Sequence, residues 1–250
     1  MEPKENTLSG AYVKNYYDTQ VGKLSSYERE RWHSSPVREF EYAQTKRALT
    51  RALGDRTYQN AIEIGPGDAV WTSLLREHVA GNIHLVEQSE EMLKRAKEKI
   101  SQLGDVSFER SDFLNAHPPA PAELITAIRC FEYFGDKLGG LKKMRTLLSQ
   151  GGRLVVITKN AKMITGSSVQ GRRIHSGQLT RGEMYRLATE AGLVVVESYP
   201  AVLRWKASWA PMRALFDLLH KVAVATRGRA VVPLISTYAS ESYVYVLRAK

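Results

Sequence analysis

Residues 61–69 read AIEIGPGDA. A short apolar run that carries one acid, Glu63, stops at Gly65-Pro66-Gly67, and a helical pattern follows it. Glycines at the end of a buried strand let the backbone come close to a ligand, and the free N–H groups of the next helix face the same place. The stretch therefore predicts a strand, a ligand-binding turn and a helix, in that order.

The same alternation continues along the chain. Short apolar runs predict strands at 61–64, 83–86, 106–109, 124–128, 153–158 and 193–198, and helical patterns fill 70–80, 89–103, 137–149 and 181–191. The alternating residues 242–249 predict a last strand. Strands that alternate with helices indicate an α/β fold with a doubly wound sheet, whose ligands bind outside the carboxyl ends of the strands.

The flanking segments depart from this alternation. Residues 11–53 read as polar, aromatic-bearing helices, in which Phe40, Ala43, Arg47, Leu49 and Leu53 form an approximate apolar stripe. Residues 200–237 predict a helix that starts near Pro211, and its wide apolar face contains Leu215, Leu218 and Val222.

Composition narrows the classes of partner. The 250 residues carry a net charge of +10, which favours phosphate-bearing or other anionic partners. A single cysteine, Cys130, excludes an intrachain disulfide and argues against a Cys/His zinc site, so we expect no metal. The first ten residues lack the apolar core of a signal peptide, and no run of about 18 apolar residues occurs. We therefore expect a cytoplasmic protein.

Two nucleotide-type ligands suit the opening stretch. A dinucleotide usually requires GxGxxG, but Val70 stands at the third glycine position. A second acid, Glu87, ends the second predicted strand twenty residues after Gly67, where a carboxylate can accept both hydroxyls of a ribose. Asp112-Phe113 follows the third strand, where an acid can accept from an adenine amine and a ring can pack on the base.

At this point the chain resembles the class I S-adenosylmethionine-dependent methyltransferases. The resemblance rests on EIGPG, the acid in LVEQS, SDF and LLSQGGRLVVIT, in that order, and covers roughly residues 40–199 and the last strand. It implies a Rossmann-like sheet of seven strands, the last antiparallel. It also implies four parts: a helical lid over 1–53, a cofactor-binding core over 54–199, a helical insert or acceptor cap over 200–241, and the last strand over 242–250.

The resemblance also implies roles for individual residues. Glu63, Gly65 and Gly67 would hold the methionine end of S-adenosylmethionine, Glu87 the ribose, and Gln88, Asp112 and Phe113 the adenine, while Ile128 and Arg129 would line the floor beside the sulfonium. The family often has a third glycine where this chain has Ala69. Tyr16 and Tyr17 resemble an aromatic segment that closes over the cofactor; a buried pair that anchors the N-terminal helix is the alternative.

The sequence says less about the residues that would bind the methyl acceptor or remove its proton. Glu132, Tyr133 and His175 are candidate bases, each with a purely structural alternative, and an amine acceptor needs none. Arg172 and Arg173 are candidates for clamping an acidic substrate, and a solvated basic loop is the alternative. Residues 200–237 hold six Lys or Arg against one Asp, with Trp205 and Trp209 among them. They suit an anionic membrane surface, a lipid-like substrate, or a lid helix with a basic outer face.

We therefore expect methyl transfer to an oxygen or nitrogen of a small, amphiphilic or acidic molecule. RNA or protein methylation is a competing hypothesis, although RCFE replaces the (N/D/S)PP(Y/F) string that base-amine methylation often uses, and no RNA-binding module is evident. A non-catalytic binding protein and a dinucleotide-dependent oxidoreductase are further alternatives. Nothing in the sequence points to an obligate protein partner.

Overall fold

The computed structural model describes residues 10–21, 23–163, 177–230 and 233–250. Arg172, Arg173 and His175 lie outside these residues. None of the helices in the described ranges combines the length and the apolarity that crossing a bilayer requires.

A seven-stranded sheet forms the centre of the molecule, in the order β3-β2-β1-β4-β5-β7-β6. The strands are β1 (Ala61–Ile64), β2 (Ile83–Glu87), β3 (Val106–Arg110), β4 (Ala122–Ile128), β5 (Leu148–Lys159), β6 (Leu193–Leu203) and β7 (Ser240–Ala249). β7 runs antiparallel to both of its neighbours, and the pairs between β3 and β5 are parallel. The predicted doubly wound sheet with an antiparallel last strand is confirmed.

Helices cover both faces of the sheet. They are α1 (Gly10–Tyr16), α2 (Pro36–Leu53), α3 (Thr72–Arg76), α4 (Glu90–Lys99), α5 (Lys137–Leu147), α6 (Arg181–Glu190), α7 (Ala210–Ala225) and α8 (Pro233–Ala239). Short π-helical turns lie at Tyr17–Val21 and Arg29–His33, and a 3₁₀ turn lies at Phe131–Tyr133. Side chains along a strand point alternately to the two faces of the sheet. They pack into two separate apolar clusters, one on each face.

Two helix predictions need correction. α3 covers Thr72–Arg76 rather than residues 70–80. Ala69, in the turn before it, has a φ of 61°, which a right-handed helix does not adopt. On α2 the predicted stripe is wrong in part: Ala43 is exposed and Phe40 half-buried. The buried positions that the stripe omitted are Glu41, Gln44, Thr45, Ala48 and Ala52.

α7 and α8 lie between β6 and β7, within residues 200–241, for which the helical insert was predicted. α7 begins at Ala210, one residue before the predicted Pro211. Only part of its apolar face is covered, because Phe216 and Ala223 are buried whereas Leu215, Leu218 and Val222 are exposed.

Candidate functional site

A cavity of about 1060 Å³ opens at the carboxyl ends of the parallel strands. Its wall includes the residues at the ends of β1, β2, β4 and β5, together with the start of β7, which reaches the same edge because it runs antiparallel. The N-terminal segment contributes the opposite wall with Tyr16, Tyr17, Tyr27 and Trp32. The cavity lies where ligands of doubly wound sheets bind.

The glycine turn after β1 needs its two glycines for different reasons. Both have positive φ, 60° at Gly65 and 62° at Gly67. A Cβ at Gly65 would lie 2.7 Å from the Cβ of Cys130, so this position is closed by packing. A Cβ at Gly67 would make only ordinary van der Waals contacts, at 3.8 Å from Met92 and 4.0 Å from Tyr27, so it is the positive φ that favours a glycine there. Both glycines line the cavity.

Ala69 occupies the third glycine position of the resemblance. Its φ of 61° lies in the left-handed region, and its side chain is fully buried. The backbone thus keeps the conformation that a glycine would favour, with an alanine in its place.

Glu87 connects β2 to this turn. One carboxylate oxygen accepts from the N–H of Gly67 at 3.2 Å, and the other accepts from the N–H of Ser89 at 2.9 Å. Burial raises the pKa of Glu87 to about 7. Each oxygen keeps one lone pair for a further donor, so the carboxylate can accept two hydroxyls from the cavity.

Glu63 does not reach the cavity wall. Its side chain is buried and accepts from the hydroxyl of Thr72 at 2.7 Å, which ties β1 to α3. Its other oxygen has no hydrogen-bond partner among the described residues, and burial raises the pKa of Glu63 to about 7. The structure therefore places this predicted cofactor residue behind the turn.

The residues predicted for an adenine lie together on the wall beyond β2 and β3. Gln88, Asp112 and Phe113 all line the cavity. Asp112 accepts from the N–H of Leu114 at 2.9 Å, which shapes the turn, and the ring of Phe113 lies 5.9 Å from that of Phe134. This wall offers an apolar ring face next to carboxylate and amide oxygens.

The N-terminal segment is fastened over the cavity by Asp18. Its carboxylate accepts from the hydroxyl of Ser89 at 2.6 Å, at the start of α4, where a negative charge is favourable. Tyr16 and Tyr17 next to it line the cavity, and the ring of Tyr17 lies 5.9 Å from that of Tyr133. The predicted aromatic segment therefore lies at the site, and it is also anchored.

The end of β4 closes the floor. Ile128 and Arg129 line the cavity, and the guanidinium of Arg129 donates to both carboxylate oxygens of Glu241, at 2.5 Å from Nη1 and 2.7 Å from Nη2. The thiol of Cys130 donates to the carbonyl of Ile64 at 3.0 Å, and burial raises its pKa well above the usual value. Cys130 is therefore a packed, protonated thiol.

The candidate bases differ in their surroundings. Glu132 is buried and accepts from the hydroxyl of Thr158 at 3.0 Å. Burial, and then the charge of Glu132, raise the pKa of Tyr133, so its phenol stays protonated at neutral pH. His175 is outside the described residues, as are Arg172 and Arg173. Trp205 and Trp209 are exposed and are not part of the cavity wall.

Several charged residues of the wall escaped sequence reasoning. They are Glu30, Arg31, Arg38, Asp68, Lys159, Arg204 and Glu241. Arg31 and Arg38 come from the N-terminal segment, and Arg204 follows β6, so no common spacing connects them. The charge excess of the whole chain was the only signal that hinted at them.

Comparison with known proteins agrees with this geometry. Residues 62–154 match a family model described as a methyltransferase domain. Malonyl-[acyl-carrier protein] O-methyltransferase 1 of Ilyobacter polytropus is 25% identical over 123 residues, which are 47% of this chain and 46% of the relative. The chain thus spans about half the length of the curated relatives that it matches.

Solved structures extend the likeness to the whole fold. The N-methyltransferase NodS from Bradyrhizobium japonicum WM9, in complex with S-adenosyl-l-homocysteine, is 17% identical, with a TM-score of 0.64 over 94% of this chain and 98% of its own. The [4+2]-cyclase SpnF is 16% identical, with a TM-score of 0.61 over 95% and 96%. The chain therefore contains a methyltransferase domain that runs from β1 into β5, within a fold that it shares with solved S-adenosylmethionine-dependent methyltransferases.

Proposed function

We propose that the protein transfers a methyl group from S-adenosylmethionine to an oxygen or nitrogen of a small molecule. The observation that carries the proposal is the carboxylate of Glu87, which lines the cavity and accepts from the backbone N–H of Gly67 in the glycine turn. S-adenosylmethionine, when bound, supplies an activated methyl group, and the protein supplies binding and orientation.

The residues of the wall fit such a cofactor. Glu87 accepts the two ribose hydroxyls, and Gln88, Asp112 and Phe113 hold the adenine by hydrogen bonds and ring contact. The methionine end lies against the backbone of Gly65 and Gly67, and Glu63 supports the turn from behind through Thr72. Tyr16 and Tyr17 cover the site and exclude water.

Among the described residues, Glu132 is our candidate for a base. Glu132 is buried beside Tyr133, and a hydroxyl acceptor bound there would need such a base. The protonated phenols of Tyr17 and Tyr133 serve as donors that orient the acceptor. An amine acceptor that arrives unprotonated needs no base, which is why the proposal keeps both oxygen and nitrogen, as the names of the O- and N-methyltransferase relatives also suggest.

Calorimetric titration tests the proposal. Purified protein should bind S-adenosylmethionine and S-adenosylhomocysteine with micromolar dissociation constants and should not bind NAD. Turnover is then sought by supplying methyl-labelled S-adenosylmethionine with a panel of small acids, phenols and amines. Binding of NAD alone would replace the proposal with a dinucleotide-dependent activity.

Two other functions remain competitors with their own outcomes. Methylation of RNA or protein predicts salt-sensitive polyanion binding or labelled macromolecular product. A chain that binds the cofactor without transferring its methyl group is the second; it is favoured by the fold likeness to a protein named as a [4+2]-cyclase. It predicts tight S-adenosylmethionine binding with no labelled product from any acceptor.

We further propose that α7 touches an anionic lipid surface, which would place the protein at the periphery of a membrane. Trp205, Trp209, Leu215, Leu218 and Val222 are each 40 to 60% exposed. The last three follow the spacing of one helix face, so they form a continuous apolar stripe. Residues 205–230 add five Lys or Arg against one Asp, which complements the negative charge of such a lipid surface.

Vesicle sedimentation tests this contact. The protein should sediment with vesicles of phosphatidylserine and phosphatidylcholine but not with phosphatidylcholine alone. The double variant Trp205→Ala/Trp209→Ala should stay in solution, whereas Tyr185→Ala, which removes a ring on α6 that is 40% exposed, should sediment normally. Self-association through the stripe, seen as a dimer by light scattering that the double variant abolishes, would overturn the lipid assignment.

A further inference from the structure

The cavity has two halves of different chemistry. The sheet order places the ends of β2 and β3, with Glu87 and Asp112, on one side of β1 and the ends of β4, β5 and β7 on the other. The second half carries a cationic cluster, which we define as Arg31, Arg38, Arg129, Lys159 and Arg204. None of these residues is needed for the contacts assigned to the ribose or to the adenine.

Glu41 is the centre of one part of the cluster. Its side chain is 2% exposed, although it lies on α2 close to the surface of the molecule. Three guanidinium groups converge on this one carboxylate, with nitrogen–oxygen distances of 2.9 Å for Arg38, 2.8 Å for Arg204 and 3.7 Å for Arg31. A single carboxylate balances one of these three charges, and an excess of positive charge is left at the cavity wall.

Arg129 is the centre of the other part. Its ion pair with Glu241 balances one charge, and Glu132 lies 3.9 Å from its Nε. The side chain of Arg129 is 93% buried, since 7% of it is exposed, yet its Nε has no hydrogen-bond acceptor within the described ranges. One terminal nitrogen of Arg31, Nη1, is also buried and has no hydrogen-bond acceptor among the described residues. Buried donors in this state need an acceptor from a ligand or from water.

The charge balance points the same way. Among the described residues of this half, the four arginines face three buried carboxylates, those of Glu41, Glu132 and Glu241, whereas Glu30 is exposed to solvent. Burial lowers the pKa of Lys159. The nearby charges act in both directions: Glu241 and Glu132 raise this pKa, and Arg129 and Arg31 lower it. Partly buried cations without enough counter-charge favour a bound anion.

We propose that this half of the cavity binds an oxyanionic group, a carboxylate or a phosphate, of the methyl acceptor. The inference rests on the proposed function and makes the acceptor an acid. Planar guanidinium groups suit carboxylate and phosphate oxygens because they donate two parallel hydrogen bonds. The anion is held by Arg31, Arg129 and Arg204, so that the rest of the acceptor extends over the floor at Ile128 toward the glycine turn.

The test uses small anions as probes. The full-length protein, first without and then with saturating S-adenosylhomocysteine, is titrated with succinate, with inorganic phosphate and with neutral succinamide. We expect succinate or phosphate to bind in both states and succinamide in neither; the better of the two anions identifies the acidic group. Arg204→Gln should weaken anion binding about tenfold or more while leaving affinity for S-adenosylhomocysteine unchanged.

Control variants keep the result interpretable. Arg186→Gln removes an exposed arginine of α6, far from the cavity wall, and should bind the anion like the original protein. If Arg204→Gln fails to fold because Glu41 loses a partner, Arg31→Gln replaces it, since Arg31 is the more distant of the two from that carboxylate.

Two results would overturn the inference. One is that neither anion binds the original protein at millimolar concentration although S-adenosylhomocysteine does, which would leave the proposed function standing. The other is that S-adenosylhomocysteine displaces the anion and binds more weakly to Arg204→Gln, which would make the cluster the site of the cofactor's own carboxylate. Anion binding without any S-adenosylhomocysteine binding would instead support the anion site and remove the proposed function.

Discussion

We expect Glu87 to make the affinity for the cofactor depend on pH. Burial raises the pKa of this carboxyl to about 7, and only the ionised form can accept from both ribose hydroxyls while it keeps its bonds to the N–H groups of Gly67 and Ser89. With that pKa, about one-eleventh of the unliganded protein is ionised at pH 6 and about ten-elevenths at pH 8. The dissociation constant of S-adenosylhomocysteine should therefore fall about tenfold between pH 6 and pH 8.

Glu87→Gln removes this dependence. The amide keeps the size of the side chain and one acceptor oxygen, so the turn can stay in place, but a charge-assisted hydrogen bond is lost. At pH 8 the variant should bind S-adenosylhomocysteine about 10- to 100-fold more weakly. Its affinity should be nearly flat across the same pH range. Calorimetric titration at pH 6, 7 and 8 measures both effects.

Glu63→Gln is the matched control. Burial raises the pKa of Glu63 to about 7 as well, and this residue lies on the preceding strand, but its carboxylate does not reach the cavity wall. The control should therefore keep the tenfold pH dependence. A flat profile in the original protein, or a profile that Glu63→Gln abolishes and Glu87→Gln retains, would refute the assignment of Glu87 to the ribose.

Three further predictions address the frame of the site. Asp18→Asn weakens the contact with Ser89 at the start of α4. It should therefore weaken S-adenosylhomocysteine binding about fivefold in calorimetry and speed proteolysis of the N-terminal segment. Unchanged affinity would contradict the proposal that this segment covers the cofactor. Gly65→Ala should lower the free energy of unfolding by about 1–3 kcal/mol more than Gly104→Ala in urea titrations. Both glycines have a φ of 60°, but only Gly65 would press a Cβ on Cys130. Burial lowers the pKa of His220 to about 4. Between pH 6.5 and 4 this histidine therefore takes up a proton only in the unfolded chain, and the free energy of unfolding should fall by up to about 3 kcal/mol as the pH drops over that range. His220→Gln should reduce this loss.

The cofactor half of the site was predictable because its residues follow strands at fixed places. β1 was predicted with its observed bounds, and Gly67, Glu87 and Asp112 each lie within a few residues of a strand's carboxyl end. Parallel neighbours bring those ends to one edge, so short local patterns were enough to place the residues together. Glu63 shows the limit of this reasoning, since alternation along β1 turns its side chain away from the cavity wall.

α2 shows how polar burial misleads hydrophobic periodicity. Its buried face includes Gln44, whose amide oxygen accepts from the N–H of Leu203 at 2.8 Å and whose nitrogen donates to the carbonyl of Phe216. Such a residue reads as a surface position in a one-dimensional pattern, because its hydrogen-bond partners are more than 150 residues away. The stripe therefore pointed to Ala43, which is exposed. α7 shows the opposite case: its apolar residues suggest burial, but part of this apolar face is exposed.

The acceptor half of the cavity depends on contacts of this long-range kind. Glu41 on α2 meets Arg204 after β6, and Arg129 after β4 meets Glu241 at the start of β7. Each pair joins segments that are more than 100 residues apart in the sequence. Charged residues show no periodicity from which such a pairing could be predicted. A motif can therefore identify the cofactor of this fold, while the class of acceptor follows from the balance of buried charge. Here that balance leaves arginines in excess, which is why we assign an acid to this half of the cavity.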